Sequence, residues 1–288
     1  METTNNMMDN QTVKTRYNLL VLTDFSDVSY AALKYAISLA KSIKSTIHVC
    51  HIANPGKIVE SDNQASVLRD LETKTKKIEQ KMGAIIDMIT AEGINSIPYY
   101  SMGNIICEFE EQIEIINPDV VIIGKKIGNL SLSGKITSYL MNEYSGSLLI
   151  VGRESEFQND TKISLGCNNS TLDRYDPHML FSLDRQTKAP LTLLNVKNLN
   201  GSGKEIIVPQ TWWKSIYEID RDIKFVYEKD SRVVDGMLNY ISRNNIGLLC
   251  IGKGKPRNFF QKMMSKNTSK VSEVINKVQI PILVMGAI

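Results

Sequence analysis

The amino-acid sequence predicts an α/β protein of two doubly wound parallel sheets, five strands each, set in tandem. Three observations carry the expectation. Short apolar runs alternate with segments of helical periodicity, the order that builds parallel sheets covered by helices on both faces. The alternation occurs twice, so the chain repeats itself. Its 288 residues suffice for two domains of ordinary size, each with a core of its own.

The repeat sets the boundaries. Asn18–Ile52 (NLLVLTDFSDVSYAALKYAISLAKSIKSTIHVCHI) lies over Lys162–Val196 (KISLGCNNSTLDRYDPHMLFSLDRQTKAPLTLLNV) without a gap, strand on strand and helix on helix. Further on, Pro118–Lys125 (PDVVIIGK) matches Ile246–Lys253 (IGLLCIGK), and Gly152 matches Gly286. The second copy is therefore shorter in its middle and longer after Gly252. A polar tail (1–15), a first domain (16–153), a linker (154–160) and a reduced second domain (161–288) follow.

In the first copy the apolar run Leu19–Leu22 meets the turn Thr23-Asp24-Phe25-Ser26, with Ser26 as the expected N-cap. Ala32, Leu33, Ala36, Ile37, Ala40 and Ile43 then recur at helical spacing. After strand Thr46–Ile52, one stripe of Leu68, Leu71, Ile78, Met82, Ile85, Ile86 and Ile89 marks a long amphipathic helix closed by Gly93. Strand Ile97–Tyr100, helix Ile105–Ile116, strand Val120–Gly124, helix Lys135–Glu143 and strand Leu148–Val151 complete the unit. The second copy keeps this order, but Lys197–Arg221 offers only a short helical piece around Trp212-Trp213 in place of the long helix.

Composition narrows the function. Hydrophobic residues are 42% and charged residues 23%, values of an ordinary folded protein. Net charge is +3, too balanced for a dedicated nucleic-acid binder. The longest apolar runs, Asp119–Gly124 and Ile280–Gly286, are far below the roughly 18 residues of a membrane span. The opening METTNNMMDNQTVK has no secretory pattern, so the expected location is the cytoplasm. Cys50, Cys107, Cys167 and Cys250 show no C-x-x-C spacing and read as structural thiols. His48, His51 and His178 do not cluster in a metal-binding pattern. Gly128–Thr137 (GNLSLSGKIT) only approaches the P-loop, having five intervening residues and Ile136 after the lysine, and Gly201-Ser202-Gly203-Lys204 lacks that pattern. Neither a G-x-S-x-G elbow nor a base for Ser26 or Ser170 is evident.

LLVLTDFSDVSYAALKYAISLAKSIKSTIHVCHI, with its Asp after the first strand, and DVVIIGKKIGNLSLSGKITSYLMNEYSGSLLIVG resemble the universal stress proteins in their tandem form. The second copy is similar more weakly, ending SKVSEVINKVQIPILVMG. The resemblance implies a Rossmann-like fold, a non-enzymatic role in stress regulation or protection, and pairing of domains through their last strands. Here those are Leu148–Val151 and Ile282–Met285. In one branch of the family the early Asp and a loop of pattern G-x2-G-x9-G-[ST] hold ATP between strands one and four. Other members lack the loop and hold no nucleotide.

Carried onto this chain, the resemblance places a nucleotide site at Thr23, Asp24, Ile52, Gly124, Gly128, Gly134 and Lys135, with ATP as ligand. The physics agrees: ligands of open α/β sheets bind beyond the carboxyl ends of the strands where strand order reverses. A loop backbone and a helix N-terminus there attract phosphate. The competing reading is that Asp24 only caps the first helix. The loop GKKIGNLSLSG departs from the family spacing, and Lys135 stands where the family has Ser or Thr. Lys125, Lys126 and Lys135 are candidate phosphate ligands or a solvated lysine face. A weaker second site comprises Asn168, Val196, Gly252, Gly254, Thr268 and Ser269, with Asn replacing the Asp. Lys253, Lys255, Arg257, Lys262, Lys266 and Lys270, interleaved with Phe259-Phe260 and Met263-Met264, suit an anionic surface or a protein partner, or else the apolar pairs pack on the domain and the charges face water. The alternative function is a nucleotide-free scaffold for protein contacts, and a homodimer of the whole chain is also open.

Overall fold

Runs such as Leu-Leu-Val-Leu and Val-Val-Ile-Ile are apolar at every position, which suits strands buried on both faces rather than on one. The computed structural model describes residues 17–53, 64–125, 135–152, 155–167, 174–199, 221–253 and 270–287. The first half holds β1 (Tyr17–Leu22), α1 (Asp27–Ile43), β2 (Ser45–Ala53), α2 (Gln64–Ala91), β3 (Ser96–Met102), α3 (Ile105–Ile116), β4 (Val120–Gly124), α4 (Lys135–Asn142) and β5 (Leu148–Val151). The second holds β6 (Ile163–Gly166), α5 (His178–Asp184), β7 (Thr192–Asn198), β8 (Lys224–Asp230), α6 (Val233–Asn244), β9 (Leu248–Gly252), α7 (Lys270–Lys277) and β10 (Ile282–Met285).

The expected pair of five-stranded sheets is continuous. Strand order is β3-β2-β1-β4-β5-β10-β9-β6-β7-β8, one ten-stranded sheet whose halves do not alternate. Every pairing within a half is parallel, and the seam between β5 and β10 is antiparallel, with Ile282 opposite Ile150 and Val284 opposite Leu148. All eight side chains of these two strands are 0–1% exposed. At about 1.5–3 kcal/mol for each fully buried aliphatic side chain, the seam is a core and not a surface contact.

Two apolar layers sandwich the sheet. One packs α1, α2 and α5 over Val21, Val49, Ile122, Leu149, Leu165 and Leu283 and runs unbroken across the seam. The other packs α3, α4, α6 and α7 over Leu20, Val121, Ile150, Leu249 and Val284. Within the segment expected as a linker, 154–160, the described residues 155–160 are anchored by Phe157. Its ring meets Tyr35 edge-on and its N–H donates to Ser38 Oγ at 3.0 Å.

Helix boundaries follow local chemistry. Asn104 accepts from the Ile106 N–H to cap α3, and Gly93 after α2 takes φ +72°, which glycine alone adopts without strain. Asn117 and Asn245, equivalent in the repeat, close α3 and α6 in the same left-handed conformation. Two expectations need correction. Ser26 occupies the N-cap position of α1, yet its side chain caps nothing and its hydroxyl donates to Asp24 instead. The first helix of the second copy, aligned with the 17-residue α1, is the seven-residue α5 preceded by Pro177. Proline lacks an N–H and holds its predecessor out of the α region, so a helix starts after it. Residues around Trp212-Trp213 lie outside the described residues.

Burial separates the four thiols. Cys50 and Cys250 are buried, Cys167 is half-buried, and Cys107 lies exposed on α3. Burial pushes the Cys50 and Cys167 thiols up to about 12, and Cys250 is raised as well. A thiol reagent at pH 8 is therefore expected to take one rapid equivalent per native chain, mapped to Cys107, with the others reacting after denaturation. Rapid labelling of Cys50 or Cys250 would contradict the packing described here.

Candidate functional site

In each half the strand order reverses at one point: between β1 and β4 in the first, between β6 and β9 in the second. Crevices at the carboxyl ends of such strand pairs are where open α/β sheets receive ligands.

The first reversal brings Thr23, Asp24 and Gly124 together at the ends of β1 and β4, with Ile52 near the end of β2. Thr23 is buried and committed to the turn. Its Oγ1 accepts from the Phe25 N–H at 3.1 Å and lies 3.1 Å from Ser29 Oγ, while its own N–H donates to Cys50 O at 2.9 Å. Asp24 is exposed, and its Oδ1 accepts from both the N–H and the hydroxyl of Ser26. The carboxylate thus organises the turn into α1 while facing solvent. Phe25 sits at φ 59°, a left-handed conformation that turns the chain sharply between strand and helix.

Gly124 has a packing reason. A Cβ there would stand 2.2 Å from the Val28 carbonyl oxygen and 2.5 Å from its carbon, so β4 and the first turn of α1 touch through backbone. Ile52 is half-buried and packs into the layer of α3 and α4. Lys135 begins α4. Lys126, Gly128 and Gly134 lie outside the described residues. Lys125, read as a phosphate ligand or part of a solvated lysine face, does neither and turns to the other half: its Nζ donates to Val278 O at 2.5 Å and Asn276 O at 3.3 Å. Partial burial draws its ammonium pKa down.

Three rings that the sequence reading did not single out line this end of the sheet. His51 lies 4.3 Å from Phe25 and 6.1 Å from Tyr100, centroid to centroid, and Lys81 Nζ is 5.0 Å over Phe25. The His51 Nδ1–H donates to Thr23 O at 2.8 Å, which leaves Nε2 as an acceptor. Burial lowers the His51 pKa and outweighs the raising effects of that carbonyl and of Asp24, which favours the neutral ring. The available signal was positional: His51 and Tyr100 fall opposite each other in the β2–β3 register.

The second reversal differs. A Cβ on Gly252 would stand 2.2 Å from Cε2 of Tyr175, so an aromatic ring covers the strand end that α1 backbone approaches in the first half. Tyr175 is held by a bridge to Ala287. Val196 is engaged by α6, since a Cβ on Gly236 would meet its Cγ1 at 2.6 Å. Lys253, read as facing either an anionic partner or water, is instead 8% exposed and donates to Leu140 O at 2.6 Å and to Tyr144 O. Asn168, Gly254, Thr268 and Ser269 lie outside the described residues, as do the Phe259-Phe260 and Met263-Met264 pairs. Among the described residues no cluster of His, Cys, Asp or Glu is arranged to hold a metal ion, and no helix is long and apolar enough to cross a membrane.

Comparison with known proteins places this architecture. No curated protein matches the chain by sequence. A universal stress protein from Archaeoglobus fulgidus DSM 4304 shares the fold at TM-score 0.74 and 15% identity, over 95% of this chain and 97% of that one. A functionally unknown protein from Pseudomonas aeruginosa PAO1 is similar at TM-score 0.55 and 11% identity, over 93% and 92% of the two chains. At such identities the likeness concerns fold alone. The sequence match is more specific, since residues 16–152 fit the model of the Universal stress protein family from the strand before Asp24 to the glycine after β5. Residues 16–152, a little under half of the chain, are thus similar in sequence to the universal stress protein family.

Proposed function

We propose that the chain is a tandem, non-enzymatic module of stress regulation or protection, working in the cytoplasm, that holds ATP or another adenine nucleotide in its first half. On this reading residues 16–153 and 161–288 are two domains joined by 154–160. The observation that carries it is the asymmetry of the two strand reversals: an exposed carboxylate, Asp24, stands at the first, while the ring of Tyr175 covers Gly252 at the second. Asp24 would accept hydrogen bonds from sugar or base. On this reading Thr23, Ile52 and Gly124 would form the walls, and the family motif would assign the phosphate side to Gly128, Gly134 and Lys135 at the start of α4, where helix N–H groups and dipole favour an anion.

A second reading, the nucleotide-free scaffold, is favoured by two specific observations. Gly124 is used for packing against α1, and Lys125 is used by α7, so neither is spare for phosphate. Calorimetric titration of ATP into wild type and Asp24→Ala separates the two. Nucleotide binding predicts weak affinity lost at least roughly tenfold in the variant, the worth of one charge-assisted hydrogen bond. Equal measurable binding would put the site elsewhere, and no binding by wild type at millimolar ATP would leave the scaffold.

A further inference from the structure

The repeat places Lys125 and Lys253 at the same position, directly after the glycine that ends β4 and β9. Each reaches across the seam. Lys125, from the first half, donates to the carbonyls of Asn276 and Val278 at the end of α7 in the second. Lys253, from the second half, donates to those of Leu140 and Tyr144 at the end of α4 in the first. Aligned on Gly152 and Gly286, Tyr144 and Val278 are equivalent residues, so the two lysines bond the same carbonyl of the opposite copy. The chemistry is specific: the last carbonyls of a helix lack intrahelical donors and form the negative end of its dipole, which a buried ammonium satisfies on both counts. The Tyr144 ring completes the first socket, with Lys253 Nζ 5.5 Å from its centroid.

The backbone around the sockets is equally reciprocal. A Cβ on Gly152 would stand 2.6 Å from Gln279 O, and one on Gly286 would stand 2.5 Å from Ser145 O. The turn before each last strand therefore lies against the glycine after the other. The lysine N–H groups stay in their own half, donating to Val151 O at 2.7 Å and Met285 O at 3.2 Å. Each lysine is thus held by its own sheet at the main chain and by the opposite helix at the side chain.

We propose that Lys125 and Lys253 form a reciprocal clasp, each fastening the strand end at its own half's reversal point to the last helix of the other half, so that each half secures the end of the other's last helix. The test is hydrogen exchange on the full chain, comparing wild type with Lys125→Met and Lys253→Met, which keep length and remove the charge. Lys253→Met is expected to speed exchange at residues 140–144 by roughly tenfold, with 274–278 little changed, and Lys125→Met to do the converse. Lys125→Arg, which retains a cation, is expected to restore protection. Effects confined to the variant's own half, a uniform rise throughout the sheet, or no change would overturn the clasp. If Lys253→Met fails to fold, the half-buried Lys125 decides alone.

Discussion

Gly124→Ala is expected to destabilise the protein by about 3 kcal/mol, at the upper end of the overpacking range, whereas Gly252→Ala, its repeat equivalent, costs about 1 kcal/mol. The difference lies in what the added methyl meets. At Gly124 it meets the main chain of Val28 and Ser29, which moves only if α1 lifts from the sheet as a body and opens the layer around Leu33, Ala36 and Leu39. At Gly252 it meets the edge of the Tyr175 ring, which can swing aside by rotation about χ1. Urea unfolding followed by far-ultraviolet circular dichroism gives both numbers, and equal midpoint shifts for the two variants would show that the close approach of α1 to β4 is not the reason for glycine. Gly83 is the control, because a Cβ there has no heavy atom within 4 Å and Gly83→Ala in the interior of α2 is expected to stabilise slightly.

Wild type is expected to gain stability over Lys253→Met as pH rises from about 8 to about 10.5, by an amount of order 3 kcal/mol. Burial draws the Lys253 ammonium from its ordinary 10.5 down to about 8. Between these values the unfolded chain holds the proton and the folded chain has released it, so folding is favoured by raising the pH; below about 8 both states are charged and the gain is absent. The Tyr144 phenol beneath the ammonium is pushed up to about 12 by burial and stays neutral through this window. Denaturant titrations of both proteins from pH 7 to 10 check the divergence. Parallel curves would mean that the two carbonyls hold the ammonium charged and that burial is not the dominant influence. Lys125, also lowered by burial, is present in both proteins and cancels.

The fold was legible because its signals are local. Apolar runs buried on both faces and a 3.6-residue stripe on α2 each need only neighbouring residues to be read, and the strands β4 and β5 coincide with the runs Val120–Gly124 and Leu148–Val151. The site was legible only in outline. Asp24, Thr23 and Gly124 lie at the ends of neighbouring strands, but the chemistry of Gly124, Lys125 and Lys253 is settled by partners far away in sequence. A lysine after a strand-ending glycine looks the same whether its ammonium faces phosphate, water or a helix end more than a hundred residues distant. Tyr175 was hidden for another reason: the alignment lays it over a helix, and the proline two residues later moves the helix start beyond it.

The antiparallel join of β5 to β10 has a consequence for symmetry. In an assembly of identical subunits, each substitution appears twice, and any surface given up is given up on both sides. A covalent join removes that constraint, because the two contributors to one interface are encoded separately and cannot be diluted apart; a tether supplies its partner at an effective concentration in the millimolar range whatever the abundance of the protein. One copy can then bury a strand end beneath a tyrosine while the other keeps its carboxylate exposed. Division of labour between the copies is what fusion makes available, and a melting temperature that does not vary with protein concentration is its simplest signature.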